Sequence, residues 1–273
     1  MKFELLIKYI LLNFSTEIKL FENGDYIGNL ETLNKFWFYH YIYNKDSMIR
    51  IDTLYRNLYF SKGPVVSANK IYKMEISAPG IDKQAYIEFK APALVPIIKI
   101  DTMLVYDNES NYGSTMTSTS LQFDLLLQDP PEEENFYAIQ LITSFESSYR
   151  DQSGQMIYHK NSQYQTLETN DVLLNFSNIY IDQGILFNDN VFNGKLQHII
   201  FKTRFNISGH TVYHVILRNI SKDYYNYMAS LSSYRNSVDN PIAEPISVKS
   251  NVVNGFGIVT AVNQWIDSSI VFN

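Results

Sequence analysis

Short runs in which apolar and polar residues alternate recur along the chain and are separated by Gly, Pro, Asn and Asp. Residues 16–31 (TEIKLFENGDYIGNLE) alternate on both sides of Asn23-Gly24. Because Asn-Gly accepts the positive φ angles of a type I′ turn, this stretch predicts a β-hairpin. The aromatic run 35–43 (KFWFYHYIY) is typical of a strand covered on both faces. Segments 71–80 and 85–101 predict further strands.

The second half continues the pattern. Residues 121–147 predict two strands joined by a Pro and Glu turn, and residues 195–207 and 210–220 predict a hairpin. The polar tract 107–120 has two interpretations, a linker or an edge strand. Two short strands, GFGIVTAV and SSIVF, are expected to close the chain.

One segment has the pattern of a helix, at about 221–235. Ser221 is placed to cap it, and Asp223 favours the positive end of the helix dipole. Tyr224, Met228 and Leu231 would share one face.

The first residues, MKFELLIKYILLNFS, favour a strand over an export signal. Glu4 and Lys8 interrupt the apolar run, and no small-residue cleavage site follows.

Composition supports a folded, β-rich protein. Of 273 residues 45% are hydrophobic and 18% charged, and 21 Tyr and 17 Phe supply most of the aromatic fraction. The net charge of −6 and the lack of a basic run argue against a nucleic-acid partner. The sequence has no Cys, which excludes disulfides, thiolate metal sites and a Cys nucleophile. It has no apolar stretch long enough for a membrane-spanning helix.

Histidines and Asx residues are the candidate metal ligands. His210 and His214 would lie about 13 Å apart along a strand, too far to share one zinc ion, although His198 is on the neighbouring arm. Possible oxygen ligands for calcium cluster around FNDNVFNGK, but an Asx-rich turn is a simpler interpretation than a calcium site. These residues are Asp182, Asn188, Asp189, Asn190 and Asn193. We therefore predict no metal site and no cofactor.

Catalytic candidates are weak as well. Glu132, Glu133 and Glu134 are expected at a solvated hairpin tip, and no G-x-S-x-G or dinucleotide loop is present. We predict no catalytic residue. The aromatic run, Trp265 and the tyrosines of the helix segment either fill the core or stack on a ligand.

The C-terminal stretch NPIAEPISVKSNVVNGFGIVTAV (240–262) carries a family resemblance. It resembles the closing signature of a family of Bacteroidetes envelope lipoproteins known as domain of unknown function 4249. The matching residues are Asn240, Pro241, Ala243, Glu244, Pro245, Ser250, Asn251, Asn254, Gly255 and Gly257. Physically, the prolines keep a connection off a sheet ladder and the glycines permit a bulge, so ordering a β closure is the simplest role. Four further segments resemble other parts of that family: LFENGDYIGNL, YKMEISAPG, LQFDLLLQDPPEEENFYAIQL and FNDNVFNGK.

With the resemblance, we expect an all-β chain of two modules. Residues 1–95 would form an immunoglobulin- or transthyretin-like β-sandwich, and residues 96–273 a larger antiparallel β-sandwich or barrel-like domain with the one helix. The family's acylated cysteine is missing, so lipid anchoring is not inferred.

The resemblance also implies a location and a partner. We expect an exported protein of the outer membrane, cell surface or periplasm that is not an enzyme and that captures a ligand for, or assists, a TonB-dependent outer-membrane transporter. The alternatives are a hydrolase of glycan or peptide and a structural or adhesive surface protein. Ser47, Thr53 and Thr102 lie in Asp-Ser/Thr-apolar triplets that resemble Bacteroidetes O-glycosylation acceptors.

Overall fold

The computed structural model of the chain describes residues 2–8, 17–44, 47–60, 66–111, 114–150, 152–175, 179–181, 184–205, 210–238 and 246–272. The strands in these residues are β1 (Lys2–Lys8), β2 (Glu17–Glu22), β3 (Asp25–Asn29), β4 (Glu31–Asn44), β5 (Ser47–Phe60), β6 (Ile71–Ser77), β7 (Ala85–Lys90), β8 (Ile97–Asn111), β9 (Ser114–Gln128), β10 (Phe136–Arg150), β11 (Met156–Tyr164), β12 (Ile179–Ile181), β13 (Gly184–Asn188), β14 (Leu196–Arg204), β15 (Thr211–Ile220) and β16 (Ile258–Phe272). The helices are α1 (Val172–Asn175) and α2 (Lys222–Val238). These antiparallel sheets confirm the all-β fold class.

A four-stranded sheet in the order β3-β2-β6-β7 forms early in the chain. Asn23 and Gly24 have φ angles of 49° and 95°, as a type I′ turn requires, so the predicted hairpin is confirmed. Alternate residues such as Ile18, Leu20 and Met74 are buried on one face of this sheet. They form the first hydrophobic core.

Two segments of ambiguous pattern also form strands. The aromatic run 35–43 lies in β4, which pairs with β5 in a two-stranded sheet. The polar tract 107–120 supplies the ends of β8 and β9, which stay in register to Asn111 and Ser114. The linker interpretation of that tract is wrong.

A β-sandwich makes up the second half. A three-stranded sheet, β14-β9-β8, shares a core with a seven-stranded sheet in the order β1-β16-β15-β10-β13-β12, in which β11 also pairs with β10. Inward residues come from alternate positions, and Phe123 of β9 lies 5.2 Å from Phe201 and 5.9 Å from Tyr213 between ring centroids. The second core lies between the two sheets.

The predicted hairpin of residues 195–207 and 210–220 is wrong. β14 pairs with β9, whereas β15 pairs with β10 and β16. The chain crosses from one sheet to the other here, and Ser208-Gly209 lies outside the described residues. The turn between β9 and β10 crosses the sandwich too. Strands that pair side by side and strands that face each other across a core show the same alternation, so the sequence pattern does not separate them.

Helix α2 covers the other face of the seven-stranded sheet and confirms the predicted helix. The Tyr224 backbone N–H donates to Ser221 Oγ at 3.1 Å, so Ser221 caps the helix. Tyr224, Tyr227 and Met228 are buried in a third core against the sheet. Among the described residues, no helix has both the length and the hydropathy of a membrane span.

One long strand ends the described chain, so the expectation of two closing strands is wrong. β16 stays paired with β15 from Asn263 to Phe272 with a single irregularity, because even the buried polar residues Asn263 and Gln264 between the two predicted strands keep the ladder by pairing with Asn219 and Arg218. β1 pairs with the first half of β16, which confirms a strand at the start. Val259 and Ala261 of β16 lie in the core of the first sheet. The division into modules at residue 95 stays a prediction.

Candidate functional site

A cavity of about 550 Å³ opens on the outer face of the three-stranded sheet. We call it the sheet groove. Strand alternation places its floor: the odd-numbered residues of β9 from Leu121 to Leu127 and of β14 from Ile199 to Thr203 turn inward, so Gln122, His198 and Ile200 face outward. The groove is therefore a direct consequence of the period-two pattern of these strands.

The wall of the sheet groove is the segment 168–171. The backbones of Glu168 and Lys202 exchange two hydrogen bonds of 2.8 Å. Beyond this bridge the hydrogen bonds come from side chains: Thr169 Oγ1 donates to the Ile200 carbonyl at 2.7 Å, and the Ile200 N–H donates to Asp171 Oδ2 at 3.4 Å. At Ile200 of β14, the side chains of Thr169 and Asp171 thus form the two backbone hydrogen bonds that a neighbouring strand would otherwise form.

The sheet groove is acidic and rich in amides. Glu168 and Asp171 line it with Lys202, and His198 Nδ1 lies 2.7 Å from Asp124 Oδ1. Gln122, Asn170 and Gln197 add amide donors and acceptors. This lining suits neutral or cationic ligands that both donate and accept hydrogen bonds, and it disfavours anions.

A second cavity of about 270 Å³ lies where the first sheet meets the start of α2. Phe89 and Pro92 line one side and Asn219 and Ser221 the other. Ion pairs of 2.6 Å bridge Lys90 to Glu133 and Lys222 to Glu134 at this junction.

Two segments that resembled family motifs meet in a buried polar cluster. Asp129 and Asp189 are fully buried. Asp129 accepts hydrogen bonds from the Tyr137 hydroxyl and from the Gly194 N–H, and Asp189 accepts one of 2.8 Å from the Asn135 N–H. The cluster joins the connection between β9 and β10 to the turn after β13.

Burial perturbs the titration of two groups in this polar cluster, Asp189 and Tyr137. Burial is the main cause that raises the pKa of Asp189, and the charge of Asp129 adds to it, against the lowering effect of the Asn135 hydrogen bonds. Burial and the hydrogen bond to Asp129 raise the pKa of Tyr137. Asp189 Oδ1 has no hydrogen-bond partner among the described residues.

The described part of the closing motif fixes the chain end onto two sheets. Asn251 binds the backbone of Val259 twice, donating from Nδ2 at 2.7 Å and accepting at Oδ1 at 3.0 Å. Ser250 Oγ accepts the N–H groups of Val252 and Gly257. The backbones of Val253 and Tyr86 exchange hydrogen bonds of 2.9 and 3.2 Å, which attaches the segment to β7.

Asn254 and the two glycines of the motif shape its turn. Asn254 has a φ of 58° and donates to the Gln84 carbonyl at 3.1 Å. A Cβ on Gly255 would lie 2.8 Å from Val252 Cγ1, and Gly257 has a φ of 123°. Asn240, Pro241, Ala243, Glu244 and Pro245 lie outside the described residues.

The family model described as "Domain of unknown function (DUF4249)" matches residues 15–265. The chain belongs to the DUF4249 family. The resemblance identified from the closing motif is thereby confirmed, and the match contains the sheet groove, the polar cluster and the closing motif. No curated protein and no solved structure matches the chain.

The candidate metal ligands of this DUF4249 chain do not come together. His198 lies on the outer face of the three-stranded sheet, and His214 belongs to the seven-stranded sheet. The Asn190 N–H donates to Asn188 Oδ1, as in an Asx turn, and Asp182 is outside the described residues. In the described part of the chain, no three His, Cys, Asp or Glu side chains are grouped to hold a metal ion.

The remaining predicted residues are separate from the sheet groove. Glu132, Glu133 and Glu134 are exposed, but on a connection between two sheets and not at a hairpin tip. Thr102 is exposed on β8, and Ser47 and Thr53 lie in β5, so glycosylation stays a prediction.

A hydrogen-bonded array around His214 was not anticipated from the sequence. His214 Nδ1 lies 2.7 Å from Ser268 Oγ, and His214 Nε2 lies 2.9 Å from Ser144 Oγ, which lies 2.8 Å from Ser162 Oγ. Burial, and secondly the charge of Lys160, lower the pKa of His214. The array connects four neighbouring strands, β11, β10, β15 and β16. It could be predicted only from the register of these strands, which the sequence does not reveal.

Proposed function

We propose that this DUF4249 chain is a non-enzymatic protein of the cell envelope that captures a ligand in the sheet groove. The observation that carries the proposal is the groove lining, which offers fixed amide, carboxylate and ammonium groups on a rigid sheet. Such convergent polar groups in a concave site favour binding of a glycan or peptide segment. The hydroxyl of Thr169 donates to the Ile200 carbonyl, so it is not held by a general base.

A partner completes the proposal. The DUF4249 resemblance motivates an outer-membrane or surface location beside a TonB-dependent transporter, in which this chain hands over the ligand. Isolation of the native envelope complex in mild detergent tests this partnership. Co-purification of a transporter is expected, and recovery of this chain alone would contradict the partner.

Ligand binding is tested by thermal shift with neutral hexasaccharides of glucose and of N-acetylglucosamine and with blocked peptides. A bound probe should raise the melting temperature in proportion to its concentration. Gln122→Ala and Glu168→Gln should remove at least about half of that shift. Glu88→Gln, an exposed carboxylate on β7, is the matched control and should leave the shift unchanged.

Hydrolysis is the second candidate, because Glu168, Asp171 and the His198–Asp124 pair share one groove. A carboxylate pair across a bound glycan is the arrangement of a glycosidase. Turnover of glycan or peptide substrates that disappears in Asp171→Asn would favour this candidate. Binding without turnover would favour capture, and no stabilising probe at all would favour a structural or adhesive role.

A further inference from the structure

We propose, on the basis of the capture function above, that the groove ligand is an extended peptide that adds as a strand to the open edge of β14 and directs a basic side chain into the sheet groove. The proposal rests on the edge of β14, on the two side chains that substitute for a strand there, and on the charge of the groove.

The backbone direction at the β14 edge follows from its pairing. The Lys202 N–H donates to the Glu168 carbonyl and the Lys202 carbonyl accepts from the Glu168 N–H, so the backbone groups of Lys202 point away from β9. Backbone groups alternate in direction along a strand and the register of β14 with β9 is regular, so those of Ile200, His198 and Leu196 face the same open side.

No strand of the described residues pairs with that open side from Leu196 to Ile200. Thr169 and Asp171 satisfy Ile200 with their side chains. The His198 carbonyl accepts only from the Gln197 side chain, at 2.8 Å, among the hydrogen bonds of the described residues. Leu196 is 53% exposed, so the edge is accessible. An added strand would continue the ladder that Glu168 begins.

The charges of the groove select the side chain of the added peptide. Alternate side chains of an extended peptide on this edge would project into the sheet groove, where the carboxylates of Glu168 and Asp171 outnumber the single ammonium group of Lys202. A lysine or arginine in the peptide complements this acidic face, whereas a glutamate is repelled by it.

The experiment uses a blocked seven-residue peptide, Thr-Val-Thr-Lys-Thr-Val-Thr, titrated by calorimetry up to millimolar concentration. Replacement of its lysine by glutamate should weaken binding at least about tenfold, and N-methylation of alternate residues on the ladder side should do the same. Equal binding of the N-methylated and unmodified peptides would overturn the added strand.

Two substitutions at one position give the matched test in the protein. Leu196→Ala shortens an exposed side chain that does not line the sheet groove and keeps the backbone donor, whereas Leu196→Pro also removes an N–H that β9 does not use. The alanine variant should bind within about threefold of the wild type and the proline variant at least about tenfold more weakly. Equal binding by both variants would overturn the proposal, and the N-methylated peptide decides it if the proline variant does not fold.

The same titrations separate this inference from the function on which it rests. Binding of a neutral hexasaccharide in the groove, without binding of the peptide, would overturn the peptide ligand and leave ligand capture in place. Failure of both probe classes would overturn both.

Discussion

Asp129 and Asp189 are the residues whose surroundings depart most from those of an ordinary carboxylate. Burial of an ionised group is costly unless hydrogen bonds or a countercharge compensate. Asp129 is compensated by Tyr137 and the Gly194 N–H, whereas Asp189 keeps one oxygen without a described partner. The ionised form of Asp189 therefore destabilises the fold, and this destabilisation depends on pH.

We expect Asp189→Asn to make stability less dependent on pH. The folded-state pKa of Asp189 is raised, so its protonated form stabilises the fold at low pH and this contribution is lost as pH rises through the folded pKa. The uncharged asparagine escapes that loss, so the free energy of unfolding of Asp189→Asn relative to the wild type should increase as pH rises.

Urea denaturation at several pH values measures this difference for Asp189→Asn. Asp101→Asn is the matched control, because Asp101 is exposed and forms a surface ion pair with Lys99. Parallel stability curves for Asp189→Asn and the wild type would contradict the raised pKa.

At the scale of elements, the sequence predicts correctly the turns and caps that depend on contacts between residues close in the chain. The Asn23-Gly24 turn and the Ser221 cap are both confirmed, because each depends on residues within a few positions. The partner of a strand is decided by distant residues, and this is why the β14–β15 connection and the continuity of β16 were predicted wrongly.

Ser221→Ala should destabilise α2. Ser221 Oγ accepts the Tyr224 N–H and lies 2.8 Å from Thr260 Oγ1, so the alanine variant loses a cap and a link to β16. We expect a loss of about 1 kcal/mol in the free energy of unfolding. Ser233→Ala is the control within the helix, since Ser233 Oγ donates to the preceding turn and alanine favours helix there. An equal loss in both variants would contradict the capping role.

His214→Gln should weaken the acid sensitivity of the seven-stranded sheet. The folded-state pKa of His214 is lowered, so its contribution to stability is present above the unfolded pKa of about 6.5 and is lost as pH falls. Between about pH 7.5 and about pH 5.5, chemical denaturation should show a smaller loss of stability in the variant. Val271→Gln, at an exposed position of β16 without a titratable group, should retain the wild-type pH dependence.

At the scale of the whole molecule, β16 contributes to each of the three described cores, and its last residues, Ile270 and Phe272, pack against the core between the two sheets of the sandwich. One face of it contributes Val259 and Ala261 to the core of the first sheet, and Ile258 and Val262 of the same strand contact the layer of α2. The groove could not be predicted from the sequence, because it forms only when segment 168–171 meets β14, far along the chain. The family resemblance was identified, however, since its closing motif is contiguous.

Asn251→Ala tests whether the closing motif couples the chain end to the first sheet. Both amide atoms of Asn251 bind the Val259 backbone, and the segment they orient pairs with Tyr86 of β7. Loss of two hydrogen bonds that are partly buried should cost about 2 kcal/mol of unfolding free energy. Because the segment holds Tyr86, hydrogen exchange of the Tyr86 amide should also accelerate. Asn251→Asp keeps the acceptor and loses the donor, so an intermediate loss is expected. If the alanine variant lost stability while Tyr86 exchange stayed at the wild-type rate, the motif would stabilise β16 alone and the coupling to the first sheet would be wrong.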